Sequence, residues 1–255
     1  MGEADWDPEQ YTKFADERRK PFAELLGLLR PVPGGRLADL GCGPGPLTVE
    51  LHRALDAAET VGVDNSPAML DEAAGHAGGG VRFEHGDLAT WDGAGTAWDA
   101  IVASASLHWL PDHETVLARW AAALSPAGQL AVQVPSNPDH PSHLLIGEVA
   151  NDLGLDVPPD PLLNVLSPQR YAEILDELGF NRQHVRLQVF GHRLPSAADV
   201  VEWTKGTALL RVRRSVPADA YEAFVDEYRR RLVVALGDRS PYFYAFKRIL
   251  FVAQR

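Results

Sequence analysis

Arg36-Leu37-Ala38-Asp39-Leu40-Gly41-Cys42-Gly43-Pro44-Gly45, read together with Thr60-Val61-Gly62-Val63-Asp64-Asn65-Ser66, decides the fold of this chain. The apolar run from Arg36 to Leu40 reads as a strand that stops in a glycine-rich turn. That turn opens a helix whose apolar residues Leu47, Leu51 and Leu55 recur at helical spacing. The β-branched run that follows ends on Asp64, which completes a βαβ unit. Its glycines let the backbone approach a ligand, and an acid at the tip of the second strand can accept ribose hydroxyls. A dinucleotide turn usually reads G-x-G-x-x-G, the third glycine easing helix packing beside a pyrophosphate. Here the spacing is G-x-G-x-G, with Asp39 two residues ahead of it. A carboxylate at that place repels a pyrophosphate and suits the ammonium group of an amino acid.

Composition narrows the rest. The chain has 255 residues, of which 45% are hydrophobic, enough for one large α/β domain or a domain with a smaller cap. Its formal charge of -11 opposes an extended phosphate backbone at long range, so no nucleic-acid partner is expected. No apolar stretch approaches the roughly 20 residues that cross a bilayer, so no membrane association is expected. The N-terminus lacks a charged-then-apolar secretory pattern, and Trp6 stands where a myristoylation site wants Ser or Thr. The single cysteine, Cys42, excludes an internal disulfide framework and fits a reducing, cytoplasmic setting. With no basic neighbour it reads as a small buried filler and not as a nucleophile.

Along the chain, residues 8–30 read as a helix after Asp7-Pro8, and Pro31 to Gly35 break it. Strands and helices then alternate. Strands are expected at 81–85, 99–103 and 129–134, with helices from Ser66-Pro67 to His76 and over 111–124. The rhythm changes after Pro135. Residues 136–170 allow two helical stretches at most, further helices fit 168–178, 196–205 and 217–235, and the last two strands fall at 185–190 and 243–253. The expected class is α/β: a Rossmann-like, mostly parallel seven-stranded sheet with helices on both faces and a helical cap. In domain terms, 1–35 forms an N-terminal helical cover and 36–135 the ligand-binding α/β core. Residues 136–255 add the remaining strands and a substrate cap, all in one compact unit.

Strand, acid, three glycines and downstream acid together resemble the first two motifs of the class I S-adenosylmethionine-dependent methyltransferases. The resemblance implies S-adenosyl-L-methionine as cofactor and S-adenosyl-L-homocysteine as product, with no metal. It places Asp39, Gly41, Gly43 and Gly45 along the methionine part, and Asp64, with Asn65 beside it, at the ribose. Met69 and Leu88 would lie by the adenine, Asp87 would accept from its amino group, and Ala103 would approach the sulfonium. The nine histidines show no metal-ligand spacing, and neither a serine elbow nor a P-loop lysine is present.

Further segments narrow the resemblance to the trans-aconitate 2-methyltransferase family. They are Asp5-Trp6-Asp7-Pro8 with Tyr11-Thr12-Lys13-Phe14 and Glu17-Arg18, Ser104 to His113, and Ala131-Val132-Gln133-Val134-Pro135. Leu194-Pro195-Ser196, Trp203 with Gly206-Thr207, and Phe246 to Ala253 extend the likeness nearly end to end. Two positions depart: His108 stands where the family often has glutamine, and Leu210-Arg211 where it has an arginine one place earlier. The family's chemistry is monomethyl esterification of a small anionic polycarboxylate. An ionised carboxylate is already a nucleophile, so no acid/base residue is expected, and His108 and Trp109 would position the substrate. Arg18, Arg211 and Arg248 would meet carboxylates, with Tyr11, His108, Trp109, Trp203 and Tyr244 as neutral donors or walls. A monomer is expected. The competing readings are an O-methyltransferase acting on another acid or a hydroxyl, a non-catalytic S-adenosylmethionine-binding protein, and a nicotinamide dehydrogenase.

Overall fold

The computed structural model describes residues 15–255, with side chains from Arg19 onward. Tyr11 and Arg18, both expected at the substrate, lie outside the residues whose side chains are described. After α1 (Ala15–Leu26) the chain alternates strand and helix: β1 (Arg36–Leu40), α2 (Pro46–Ala54), β2 (Glu59–Asp64) and α3 (Pro67–Ala73). Then come β3 (Val81–His85), β4 (Trp98–Ser104), α4 (His113–Ala122) and β5 (Leu124–Pro135). The second half holds α5 (Pro141–Asp152), α6 (Pro168–Glu177), β6 (Arg182–Leu194), α7 (Asp199–Lys205), α8 (Leu210–Ser215), α9 (Ala218–Leu236) and β7 (Tyr242–Gln254).

The strands form one seven-stranded sheet in the order β3-β2-β1-β4-β5-β7-β6. β3, β2, β1, β4 and β5 pair in parallel, and β7 runs antiparallel to β5. The order reverses at β1, the topological switch point where ligands of open α/β sheets bind beyond the carboxyl ends of the strands. Four of the five β1 residues and four of the six β2 residues are buried, as a two-sided parallel sheet requires. Local chemistry sets the helix starts. Ser66, Asp112 and Ser167 cap α3, α4 and α6 by accepting from Met69, Thr115 and Arg170 N–H, and α2, α3, α5 and α6 each place proline in the first turn. Gly237, at φ +81°, closes α9 in the left-handed cap.

The chain groups into two compact units. One holds Pro21–Pro135, Asn164–Gln188 and Arg248–Arg255; the other includes Ser136–Leu163 and Val189–Lys247. Each has its own core. In the first, Leu40, Val63, Ile101, Leu117, Trp120, Val132, Tyr171 and Phe251 pack together. In the second, Ile146, Trp203, Phe224, Tyr228, Leu232 and Tyr244 do so.

The differences from the expected elements are local. The first helix ends at Leu26 instead of residue 30, because Gly27 and Leu28 form a turn. The fourth helix is shorter at both ends, since Asp112 caps it and a short 3-10 turn, Leu107–Trp109, precedes it. β5 starts at Leu124, so Ser125 to Gly128, ahead of the strand expected at 129–134, lie within it and meet β4 at a register shift between Trp98 and Ala100. The six-residue helix α8 was not expected, and β6 and β7 are longer than the runs read for them.

Candidate functional site

The nucleoside end of the site is built at the carboxyl ends of β1 and β2. Asp64, the last residue of β2, takes Gly43 N–H on Oδ2 at 2.9 Å and Ser66 N–H on Oδ1 at 3.0 Å. Its carboxylate therefore fixes the glycine turn and the start of α3 together, and each oxygen keeps a second lone pair for a hydroxyl. The three glycines of the turn differ in purpose. A Cβ on Gly41 would stand 2.3 Å from Ser106 Cβ, and one on Gly45 would stand 2.8 Å from the Phe83 ring. At Gly43 a Cβ would meet nothing within 4 Å, yet φ is +56°. Gly41 and Gly45 thus serve close packing within the protein, whereas Gly43 leaves a bare backbone facing open space.

Asp39 closes the other side. It is 3% exposed, and its Oδ2 accepts the Thr48 hydroxyl at 2.6 Å. Burial pushes its carboxyl up to about 6, the Thr48 hydrogen bond opposes that rise, and the negative charge of Asp64 adds to it. A buried acid held in this way gains most from a cation placed against it. Cys42 is buried, and burial raises its thiol above the ordinary cysteine range, with the charges of Asp39 and Asp64 adding to the effect. That disfavours a thiolate. Asn65 is exposed and Met69 half-buried, one turn into α3. Asp87 is exposed and turns Oδ1 to Ala89 N–H at 2.9 Å, while the Leu88 carbonyl accepts Trp120 Nε1–H at 3.2 Å. The Asp87 carboxylate is thus part of a local Asx turn. An open bare-backbone turn, a doubly anchored carboxylate and a buried acid form a set of partners that fits an amino-acid nucleoside.

Beyond β4 lies a corner that the sequence did not reveal. Ala103 is fully buried, and Ala105 sits at φ +58°, a left-handed conformation rare for alanine. Ala105 N–H donates to Gln133 O at 2.9 Å, and the Ser106 hydroxyl donates to Leu40 O at 2.5 Å. This corner explains Gly41, because the Ser106 side chain fills the space a Cβ there would need. His108 and Trp109 follow on the 3-10 turn. His108 is 7% exposed with its carbonyl held by Asn164 Nδ2–H at 3.2 Å, whereas Trp109 is 55% exposed with its ring 4.9 Å from the His108 ring. Arg248, on β7 opposite Pro135, is buried and donates from Nη1 to Gln133 Oε1 at 2.8 Å.

The other unit carries the remaining expected residues. Trp203 and Tyr244 meet edge to face at 5.6 Å between ring centroids, in a cluster with His192 and Phe246. The Tyr244 hydroxyl lies 3.3 Å from Ser142 Oγ. Arg211, on α8, donates to Pro158 O and lies 3.9 Å from Asp160 Oδ2. The same Asp160 oxygen pairs with His143 Nδ1 at 2.8 Å. For Asp160, burial works to raise the pKa, but the His143 hydrogen bond and charge and the Arg211 charge bring it below the usual range. These three side chains line a cavity of about 250 Å³ walled by Pro138, Leu144 and Val157. Arg211 is therefore already paired, and the structure does not group it with Trp203 and Tyr244 in one ring cluster.

Among the described residues, no three His, Cys, Asp or Glu side chains converge as a metal site, and no helix is long and apolar enough to cross a membrane. The profile of a methyltransferase domain family matches residues 37–128. An S-adenosylmethionine-dependent methyltransferase from Mesorhizobium loti shares the fold, with a TM-score of 0.51 at 20% identity, over 93% of this chain and 98% of that one. A phosphoethanolamine N-methyltransferase 2 from Haemonchus contortus, solved with S-adenosyl-L-methionine, gives a TM-score of 0.55 at 15% identity, over 92% of this chain and 51% of that one. In sequence, the trans-aconitate 2-methyltransferase of Deinococcus radiodurans is 38% identical over 98% of both chains. That of Streptomyces avermitilis is 40% identical over 98% of this chain and 97% of the relative, and that of Mycobacterium tuberculosis 34% over 98% and 96%. Switch-point turn, paired acids and near full-length likeness converge: the chain is an S-adenosylmethionine-dependent methyltransferase and belongs to the trans-aconitate 2-methyltransferase family.

Proposed function

We propose that the enzyme methylates one carboxylate of trans-aconitate, or of a close polycarboxylate, to give a monomethyl ester. The observation that carries this reading is the set of relatives named for that reaction, 34–40% identical over nearly the whole chain. The buried guanidinium of Arg248 beside the corner after β4 supports it from the side of geometry. When bound, S-adenosyl-L-methionine supplies a sulfonium-activated methyl: the carboxylate oxygen forms the new C–O bond as the C–S bond breaks and its electron pair stays on sulfur.

The chain's own residues bind, orient and exclude water. Asp39 faces the ammonium group, Asp64 the ribose hydroxyls, and Gly43 gives the bare backbone between them, with Gly41 and Gly45 holding the turn in place. Asn65 stands beside Asp64 at the ribose, Met69, Asp87 and Leu88 flank the adenine, and Ala103 marks the sulfonium end. No proton has to move, because a carboxylate is ionised near neutral pH. His108 and Trp109 accordingly position the substrate and shed water from it. Arg248 holds a spectator carboxylate as a charge-assisted pair. Trp203, Tyr244 and Arg211, with Tyr11 and Arg18, remain proposed contacts. Asp160 and His143 share the neighbourhood of Arg211. The enzyme is proposed to act as a monomer in the cytoplasm, a setting that suits its single cysteine.

The test is incubation with methyl-labelled S-adenosylmethionine and a panel of polycarboxylates. Base-labile label on trans-aconitate supports the reading; label only on a hydroxyl acceptor overturns it. That second outcome has an observation of its own, since His108 is buried just after β4 and could serve as a base for an alcohol.

A further inference from the structure

Gln133 is 2% exposed on β5 and fully engaged. Its Oε1 accepts Arg248 Nη1–H at 2.8 Å, its Nε2 donates to Ser104 Oγ at 3.0 Å, and its main-chain carbonyl accepts Ala105 N–H at 2.9 Å. One residue thus ties the end of β4, the left-handed corner after it and the cation on β7. The sheet register permits this, because Ser104 stands opposite Gln133 and Arg248 opposite Pro135. We propose that Gln133 is a positioning residue for methyl transfer, fixing both the Arg248 guanidinium and the Ser104-Ala105-Ser106 corner against which the accepting carboxylate is aligned. The proposal rests on the reading that Arg248 receives a substrate carboxylate.

The amide is the side chain that fits. It accepts from a cation and donates to a hydroxyl at once, and it carries no charge. Glutamate would accept from Arg248 equally well, but as a buried ion pair it would cancel the positive charge meant for the substrate. Methionine has a similar volume and would leave the guanidinium without that acceptor. A purely structural amide, one that only fastens β5 to β7, would change stability on substitution and leave substrate kinetics alone.

The experiment measures kcat and KM for trans-aconitate, the Kd of S-adenosylhomocysteine and thermal unfolding for wild type, Gln133→Glu, Gln133→Met and Arg248→Ala, and for Gln133→Met combined with Arg248→Ala. In the two folded Gln133 variants, KM for trans-aconitate is expected to rise about tenfold, the loss of one charge-assisted contact. The Kd of S-adenosylhomocysteine should hold within about twofold, since Asp39, Gly43 and Asp64 are untouched. Because Gln133 acts on KM through Arg248, its substitution in the Arg248→Ala background should raise KM by less than about a further twofold. Unchanged KM in folded Gln133→Glu, or a fully additive double variant, overturns the positioning role. If Arg248→Ala raises KM and the Gln133 variants do not, only this inference falls. If Arg248→Ala leaves KM unchanged, the role of Arg248 and this inference fall together, and a wild type inactive on trans-aconitate takes the substrate reading with them. Should neither Gln133 variant fold, Ser104→Ala removes the second anchor without touching Arg248. It is expected to lower kcat about threefold, and unchanged kinetics there overturn the proposal.

Discussion

Acidification should weaken cofactor binding through Asp39, and the size of the effect follows from its burial. The carboxyl is 3% exposed and pushed up to about 6, against 3.8 for an ordinary aspartic acid. The difference, 6 - 3.8, is 2.2 pH units and corresponds to at most about 3 kcal/mol between the charged and neutral forms. A raised acid keeps its proton longer in the folded protein than in the unfolded chain. The stability it contributes is therefore full below pH 3.8 and is lost as the pH rises through about 6. At pH 7 the charged carboxylate is a burden on the cofactor-free fold, and an ammonium group set against it relieves that burden. Below pH 6 the proton must leave before the ammonium can be held, so affinity should fall about tenfold from pH 7 to pH 5. Isothermal titration calorimetry in two buffers of different ionisation enthalpy should show about half a proton released per S-adenosylhomocysteine bound at pH 6 and almost none at pH 8. Asp39→Asn should bind more weakly, by about 1.5–3 kcal/mol, and lose the pH dependence. Equal wild-type affinity at pH 5 and pH 7, with no proton release at pH 6, would refute the argument.

Three further outcomes separate the roles assigned above. Gly41→Ala should lower the melting temperature strongly, because its Cβ would enter Ser106 on top of the strain at φ +82°, whereas Gly43→Ala should stay folded apart from about 1 kcal/mol of backbone strain and lose cofactor affinity instead. Unfolding curves and calorimetry on the same two proteins decide it. Asp64→Asn should weaken S-adenosylmethionine binding by about 1–3 kcal/mol, since the side chain keeps one acceptor oxygen for two backbone N–H groups and the ribose; an unchanged Kd would remove Asp64 from the site. His108→Gln should keep most of the wild-type kcat, because glutamine still donates a hydrogen bond but takes up no proton; a wild-type limb near neutrality that disappears together with activity would make His108 a general base.

The sheet and the glycine turn at its switch point were legible because their information is local. Leu37 to Leu40 and Val61 to Val63 are short apolar runs bounded by glycines and acids, and Asp64 sits where a β2 tip must sit. The corner after β4 was not legible. Nothing in Ser104-Ala105-Ser106 announces a left-handed alanine, and the reason for it lies far along the chain, in Gln133 O and Leu40 O. Gln133 itself reads as an ordinary polar residue in a strand until β7 brings Arg248 beside it. The same holds for Gly41, where, besides a φ of +82°, a distant serine occupies the space a Cβ would need. Thr48 passed as one more residue of a helix, although its hydroxyl is what moderates the pKa of Asp39. In the other unit, Arg211 was expected to offer its charge to a substrate; its pairing with Asp160, which also holds His143, depends on a loop with no periodicity to read.

Strand order converts these separate contacts into a gradient of charge. Along the edge formed by the carboxyl ends of the parallel strands, β2 presents Asp64 and β1 presents Asp39. Next comes β4, whose neutral Ser104-Ala105-Ser106 corner is followed by β5 with the uncharged amide of Gln133. Then comes β7, antiparallel, so that Arg248 near the middle of that strand falls opposite Pro135 at the carboxyl end of β5. Acids therefore occupy one side of β4 and a cation the other. S-adenosylmethionine carries positive charge on its ammonium and sulfonium groups, and a polycarboxylate carries negative charge, so under the proposed function each would be drawn to the opposite side of the same corner. Under the proposed function, two reactants oriented in this way would meet at β4 without a protein group taking part in the bond changes, the form of catalysis open to an enzyme whose nucleophile arrives already ionised. A protein with a formal charge of -11 needs a local cation to hold such an anion. On β7 Arg248 donates to the uncharged amide of Gln133 at the carboxyl end of β5.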